Sequence, residues 1–435
     1  MVHWKRTLYC MWVAQLVAIV GFWMVTPFLP VHVQHLNGMD DGEAARWMGW
    51  AGFAAGMAMT VFAPVWGVLA DRHGRKLMVL RSMLGGAVVM ALMGFAPNAG
   101  WIIVCRALQG ALTGSVAASV TLVSSITPIE HTGYAIGVLQ SAVHIGVLIG
   151  PLAGGVVCDR FSFLNSCLVA AAMLLFAGGL VLVGAQEEFK PAEHVAGEDR
   201  KSYATMMRSG TFVSAILIVF LVNVSVCVVL PVMQLYVKEL VTGGALDGPV
   251  SQPLYRVAAL LVKRKAGIDP APESVVNTLT GGLYGFAGVA AALSAAISGR
   301  IGDRWNHRRL LILSAVLAGF VTIPHVFAES IGELFLYRMG YGFASAGMVV
   351  AANAIIRQVT KDEHVGKAYG LSTSTGALGW AFGPLLGGYM GKYAGLRSPF
   401  LFTGVMLVAV GFYVWFVMRP IGNSRQELSP QTAAG

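Results

Sequence analysis

No aspartate or glutamate falls in the middle of an apolar run of this chain; all 21 acids sit in loops or near the ends of such runs. Charge of either sign is scarce. Charged residues are 12% of the 435 positions, about half the roughly 25% usual in a soluble protein, so most of the surface must face something other than water. The five cysteines, Cys10, Cys105, Cys158, Cys167 and Cys227, form no C-x-x-C pair and lie in or beside apolar runs. That pattern excludes a disulfide or metal framework and leaves small packing residues. No nucleophile–base set or cluster of metal ligands falls in the runs, so neither an enzyme nor a cofactor is expected.

Apolar length and glycine are abundant. Apolar runs recur at approximately 7–35, 45–70, 77–96, 100–126, 133–158, 163–185, 210–238, 276–299, 310–328, 333–357, 368–391 and 398–418. Each is long enough to cross about 30 Å of hydrocarbon as a helix. The 53 glycines suit helices that pack backbone against backbone, and the fold class expected is an all-α membrane protein of twelve transmembrane helices. A net charge of +9 could suggest nucleic acid, but the placement of the charges speaks for a bilayer. Arg72, Arg75, Lys76, Arg81, Lys190, Arg200, Lys201, Arg208, Arg300, Arg304, Arg308, Arg309, Lys361 and Lys367 fall on one side of a twelve-span chain. By the positive-inside rule that side is cytoplasmic, and both termini lie there. Lys5-Arg6 before the first run resembles a signal peptide, but the run is too long for one and is expected to be kept as a span.

The two halves repeat. Asp71 returns as Asp303 and Arg106 as Arg338, each 232 positions on, while Gly150-Pro151 returns as Gly383-Pro384 after 233. Such a repeat in an apolar chain describes two pseudo-symmetric six-helix bundles, the body plan of a secondary transporter. The boundaries read as a first bundle over 1–185, a polar connector over 186–209, a second bundle over 210–420 and a tail over 421–435. Pro27 aligns with Pro231 at a displacement of only 204, so about 28 residues were inserted between spans 7 and 8, within 241–275. The insert holds an amphipathic stretch ending in Lys263-Arg264-Lys265. It reads as a surface loop, or as a lid or interface helix.

The segment GVLADRHGRK, Gly67 to Lys76, forms the turn between spans 2 and 3. Gly67 admits a neighbouring helix, Asp71 can accept from N–H groups at a helix N-terminus, and Gly74 completes the turn. Arg72, Arg75 and Lys76 can pair with Glu130 near the end of span 4. Their counterparts are Asp303, Arg304 and Arg308, the last facing Asp362 or Glu363. Pairs that form only when the halves close on that side would act as latches; the plainer reading is a capping turn with topology-setting charges. In span 5, Gly146, Gly150, Gly154 and Gly155 give a smooth face and Pro151 removes one backbone hydrogen bond; Gly383 and Pro384 repeat the pattern in span 11.

The G-x-L-A-D-R-x-G-R-K loop, the R-x-x-x-G of span 4 and the G-x-x-x-G-P-x-x-G-G of span 5 resemble the major facilitator superfamily, the last being a mark of its drug:proton antiporter branch. The resemblance implies a twelve-helix multidrug antiporter of a cell inner membrane, working as a monomer by alternating access, with protons, a small-molecule substrate and the lipid bilayer as its partners and no nucleic acid. It also ties the span-4 arginine to proton coupling and puts spans 5 and 11 between the halves. An uptake symporter for a metabolite shares these features; a membrane sensor would need a signalling domain that no segment is long enough to supply.

Arg106 and Arg338 are the basic residues well inside spans. A charge there costs about 2.5–3.5 kcal/mol on insertion scales, so each should face a cavity or a polar partner. With no acid beside them, the cavity would be electropositive and suited to anions or zwitterions. Polar and aromatic residues within spans, namely Gln15, Trp23, Gln109, Gln140, Asn223, Tyr284, Tyr341 and Trp380, are the candidate lining; any of them could instead contact lipid or a neighbouring helix. With no carboxylate in span 1, His144, near mid-depth in span 5, is a candidate proton carrier, since imidazole is the side chain suited to proton transfer near neutral pH; packing is its plainer role, and Asp71 is the other candidate. If His144 carries the proton, His144→Gln flattens the pH dependence of transport in vesicles. An unchanged profile passes the role to Asp71.

Overall fold

The structure, a computed structural model, describes residues 4–187, 206–263, 270–304, 306–360 and 365–418. Among these, eleven helical stretches are long and apolar enough to cross a membrane. Val365–Ala394, whose first half is rich in Ser, Thr and Gly, completes the twelve. Spans 2, 3, 5 and 6 are Asp41–His73, Arg75–Gly94, Thr132–Arg160 and Phe163–Gly184. Spans 8, 9, 10 and 12 are Val276–Arg304, His307–Thr322, Ile331–Val359 and Ser398–Val417. The 67–76 and 299–309 turns share one side, the basic face; the opposite side is the distal face.

Three spans are broken, where the sequence reads as continuous apolar runs. Span 1 is Trp4–Trp23 followed by Leu29–Asn37, and span 7 is Gly210–Val228 followed by Leu230–Thr242. Both breaks sit beside the repeat-related Pro27 and Pro231, whose rings lack an N–H and crowd the preceding turn. Span 4 is Ala99–Leu112 and Ser115–Ile126, parted where Gly114 takes a φ of +130°, a conformation that L side chains seldom adopt.

Packing within the halves follows the repeat. Spans 1 and 5, 2 and 4, and 3 and 6 pair in the first, and 7 and 11, 8 and 10, and 9 and 12 in the second. Two seams join the halves: span 2 on span 11, and span 5 on span 8. The span-5 glycines mostly face their own half. Gly146, Gly150 and Gly154 lie against Ile19, Trp23 and Met24 of span 1, and only Gly155 meets the other half, at Asn277. Span 11 does the same: Gly383 packs on Cys227 and Gly388 on Ala45 and Gly49. The prolines press into glycines across each seam. Pro384 packs on Gly49 and Gly52, and the carbonyl of Pro151 on Gly281. Gly49 and Gly281 are again 232 positions apart.

Both seams close on the distal side and part toward the basic face. On span 5, Leu152 and Leu148 pack on Gly285 and Gly288, whereas His144 and Gln140, one and two turns farther on, are exposed. On span 2, Gly56 meets Ala381, while Val61, Phe62 and Val65 beyond it are exposed. A Cβ on Gly285 would stand 2.5 Å from Leu152 Cγ, closer than packed carbons allow. Gly285→Val is therefore expected to pry the 5–8 seam apart, lengthening the distance between spin labels on the distal ends of spans 5 and 8; an unchanged distance would show that the seam does not hold that face.

Candidate functional site

The helix breaks converge on a cavity of about 120 Å³ between the halves. Thr26, Pro27 and Pro30 come from the break in span 1, Leu230 and Pro231 from that in span 7, and Thr113 from that in span 4. Unwound backbone inside a bilayer is tolerated where it lines such a cavity. Trp23, Arg106, Gln109, Tyr284 and Trp380 complete the polar and aromatic wall, and no Asp or Glu lies in the lining. Arg106 donates from Nη1 to Gln109 Oε1 at 2.5 Å, while its buried Nε has no partner among the described residues. The rings of Trp23 and Trp380, one from each half, meet edge to face with centres 6.5 Å apart.

Other candidates fall outside this wall, each for a visible reason. Gln15 is buried in the first half, accepting from Ser119 Oγ at 2.9 Å and donating to Ser115 Oγ at 3.4 Å, which ties span 1 to span 4. Asn223 accepts from Trp380 Nε1 at 3.1 Å and so orients a wall residue. Tyr341 lies under Arg338, whose guanidinium is 5.0 Å from its ring centre and 5.4 Å from that of Tyr284. These two rings give the buried charge a cation–π setting, one residue removed from the cavity. Gln140 and His144 are exposed on span 5, on the basic-face side of the Leu148–Gly288 contact.

Among the described residues no ion pair joins Glu130 to Arg72, Arg75 or Lys76. The side chains of Asp303 and Arg304 lie outside the described residues, as do Asp362 and Glu363. Arg75 and Lys76 instead donate from their backbone N–H groups to the Glu187 carboxylate, both at 2.8 Å. Lys76 Nζ donates to the carbonyls of Leu182 and Ala185 at the end of span 6, and Arg308 to those of Val414 and Trp415 at the end of span 12. Lys76 and Arg308 are 232 positions apart, as are Leu182 and Val414. Each cation thus caps the C-terminus of a helix of its own half, where the dipole favours positive charge.

Polar contacts between the halves gather on the distal face, on residues that the sequence did not single out. Asp159, at the end of span 5, caps the start of span 8. Its carboxylate accepts from Thr278 N at 2.6 Å, Thr278 Oγ1 at 2.7 Å, Asn277 Nδ2 at 2.6 Å and Asn277 N at 3.3 Å. A chain of donors leads to it: Val31 N to Gln234 Oε1 at 2.9 Å, then Gln234 Nε2 to Asn277 Oδ1 at 2.6 Å. Lys238 donates to Gln34 at 2.6 Å and meets Asp41 at 3.3 Å. At the other seam Lys392, 233 positions after Asp159, pairs with Glu43. An acid ending span 5, its repeat partner ending span 11 and an Asn-Thr pair opening span 8 were the available signal, but pairing them needs the seams.

Hydrogen bonds to a charged group contribute about 1.5–3 kcal/mol each, whereas an isolated ion pair that solvent still reaches contributes about 0–1 kcal/mol. Asp159→Ala is therefore expected to raise the distal-open population at least tenfold, and Lys392→Ala several times less, both read from spin-label distances. Equal effects would refute this ranking.

Known proteins share this architecture. The Major Facilitator Superfamily profile matches residues 11–268 and 267–434. The multidrug resistance protein MdtG of Proteus mirabilis is 28% identical over 96% of each chain. The multi-drug resistance efflux pump PmrA homolog of Lactococcus lactis is 27% identical over 94% of this chain and 93% of its own. A crystal structure of a bacterial homolog of the human lysosomal transporter Spinster superposes with a TM-score of 0.70 over 96% of this chain and 97% of that one, at 12% identity. With the family profile spanning both halves of a repeated twelve-helix chain, this protein belongs to the Major Facilitator Superfamily.

Proposed function

We propose that this chain is a secondary transporter that exports small drug-like molecules, anions and zwitterions among them, in exchange for protons. One observation carries the reading: a central cavity between the halves, walled by aromatics from both, in which the charged group is Arg106 and no acid balances it. A guanidinium with an unpartnered Nε in low dielectric gains most from an anionic group, and the Trp23–Trp380 pair offers ring faces to an apolar body. The names of the Proteus and Lactococcus relatives, a multidrug resistance protein and an efflux pump, support export. The charge bias of the loops supports a cytoplasmic basic face with both termini on that side. Distal closure then makes this the inward-open state, ready to load from inside. His144, exposed on span 5 beyond the Leu148–Gly288 contact, is the residue this reading assigns to handing over the proton, with Arg106 and Arg338 as the cations inside spans that respond to it. The 67–76 and 299–309 turns act as latches in the opposite state, when the basic face closes.

The reading is tested in inverted vesicles, interior acid, with size-matched anionic, zwitterionic and cationic aromatic compounds. Anions and zwitterions are expected to accumulate and to dissipate the pH gradient, with Arg106→Ala lowering anion transport at least tenfold and cation transport little. Accumulation only when the gradient is reversed would identify an uptake symporter and overturn it.

A further inference from the structure

The insert between spans 7 and 8 has no counterpart in the first half, where Asp40 caps span 2 directly after Gly38 and Met39. It folds into a helix, Ser251–Val262, the most strongly amphipathic among the described helices. Its depth is fixed by the end of span 10. Gly332 N donates to Ser251 Oγ at 2.9 Å and Ile331 N to the Ala245 carbonyl at 3.2 Å. Two first-turn N–H groups of a membrane-spanning helix are thereby satisfied by the insert, which places it at the level of the helix ends, where lipid headgroups lie. Tyr255 OH closes the segment onto the Pro270 carbonyl at 2.9 Å.

The helix packs on spans 5, 8 and 10. Ala258, Ala259 and Val262 face these spans and are buried. The other side presents Leu260, Val257 and Leu261, 70%, 57% and 47% exposed, and Arg256 stands exposed in the same row. Lys263 follows at the helix C-terminus. Nearby distal ends continue the apolar band: Phe161 after span 5, Phe327 at the end of span 9 and Leu336 in span 10 are all more than half exposed. An apolar row flanked by cations, lying at headgroup depth and continuous with the lipid-facing surface of the spans, is the design of a helix that lies in a membrane interface.

We infer that Ser251–Val262 is an interfacial helix that seats Val257, Leu260 and Leu261 in the distal leaflet and binds anionic phospholipid headgroups through Arg256 and Lys263. Its partner is the bilayer itself, whatever the transported substrate. Through its packing on both spans 5 and 8, it would also tether the seam that Asp159 closes.

The test uses full-length protein carrying Leu260→Cys, labelled with bimane, in phosphatidylcholine vesicles with or without phosphatidylglycerol; unsubstituted protein reports labelling of the native thiols. Quenching by lipids spin-labelled near the headgroup, with protection from aqueous iodide, is the expected result. Quenching by iodide alone would show a water-facing loop, and protection from both quenchers would show a protein-covered face such as a second copy; either overturns the proposal. In a second measurement, joint replacement of Arg256→Gln and Lys263→Gln should weaken retention of spin-labelled phosphatidylglycerol on purified protein roughly thirtyfold, at about a factor of five per basic residue near an anionic surface. Unchanged retention would refute the headgroup assignment.

Discussion

A carboxylate of one half seated on the helix N-terminus of the other is the contact around which this conformation is organised. Asp159 accepts from two backbone N–H groups that open span 8 and therefore have no partner in their own helix. The same oxygens take the side chains of Asn277 and Thr278. Charge, dipole and orphan donors coincide at one point. Because the chain Val31–Gln234–Asn277 delivers its last donor to the same acid, each link polarises the next. The glycine and proline contacts of the two seams add close-fitting shape; the capped helix end adds a directional polar contact.

The two seams obey one backbone symmetry and different chemistry. Asp159 at one seam is replaced at the other by Lys392, which pairs with Glu43 at the start of span 2. A carboxylate held by four hydrogen bonds and a single part-exposed ion pair differ severalfold in strength, so opening is expected to begin at the 2–11 side. The insert helix adds to this asymmetry through its packing on spans 5 and 8.

Symmetry is better kept on the basic face, and for a local reason. Lys76 and Arg308 each cap a helix of their own half, so they travel with that half when it rocks. Cations in this position stiffen the lobe while the neighbouring Asp71 turn remains at the edge of the opening. The cavity repeats the theme on a smaller scale: proline-broken spans 1 and 7 supply matching walls, while the single cavity-lining guanidinium, on span 4, breaks the charge symmetry.

The sequence alone determined the twelve spans, the two-fold repeat, the place of the insert and the scarcity of buried acid, because hydropathy and spacing are properties of the chain itself. Trp23, Gln109, Tyr284, Trp380 and Arg106 were legible as a wall for the same reason: polar and aromatic groups in the middle of a bilayer span need a cavity or a partner. Which of the two each one has was decided only by packing. Gln15 found hydroxyls on span 4, Asn223 found Trp380, and Tyr341 found Arg338. The distal contacts were hidden most completely, since an acid near a helix end looks like any solvated terminus until the fold brings another helix's first turn against it. Asp159 and Thr278 are 119 positions apart, and only the closed seam makes them neighbours.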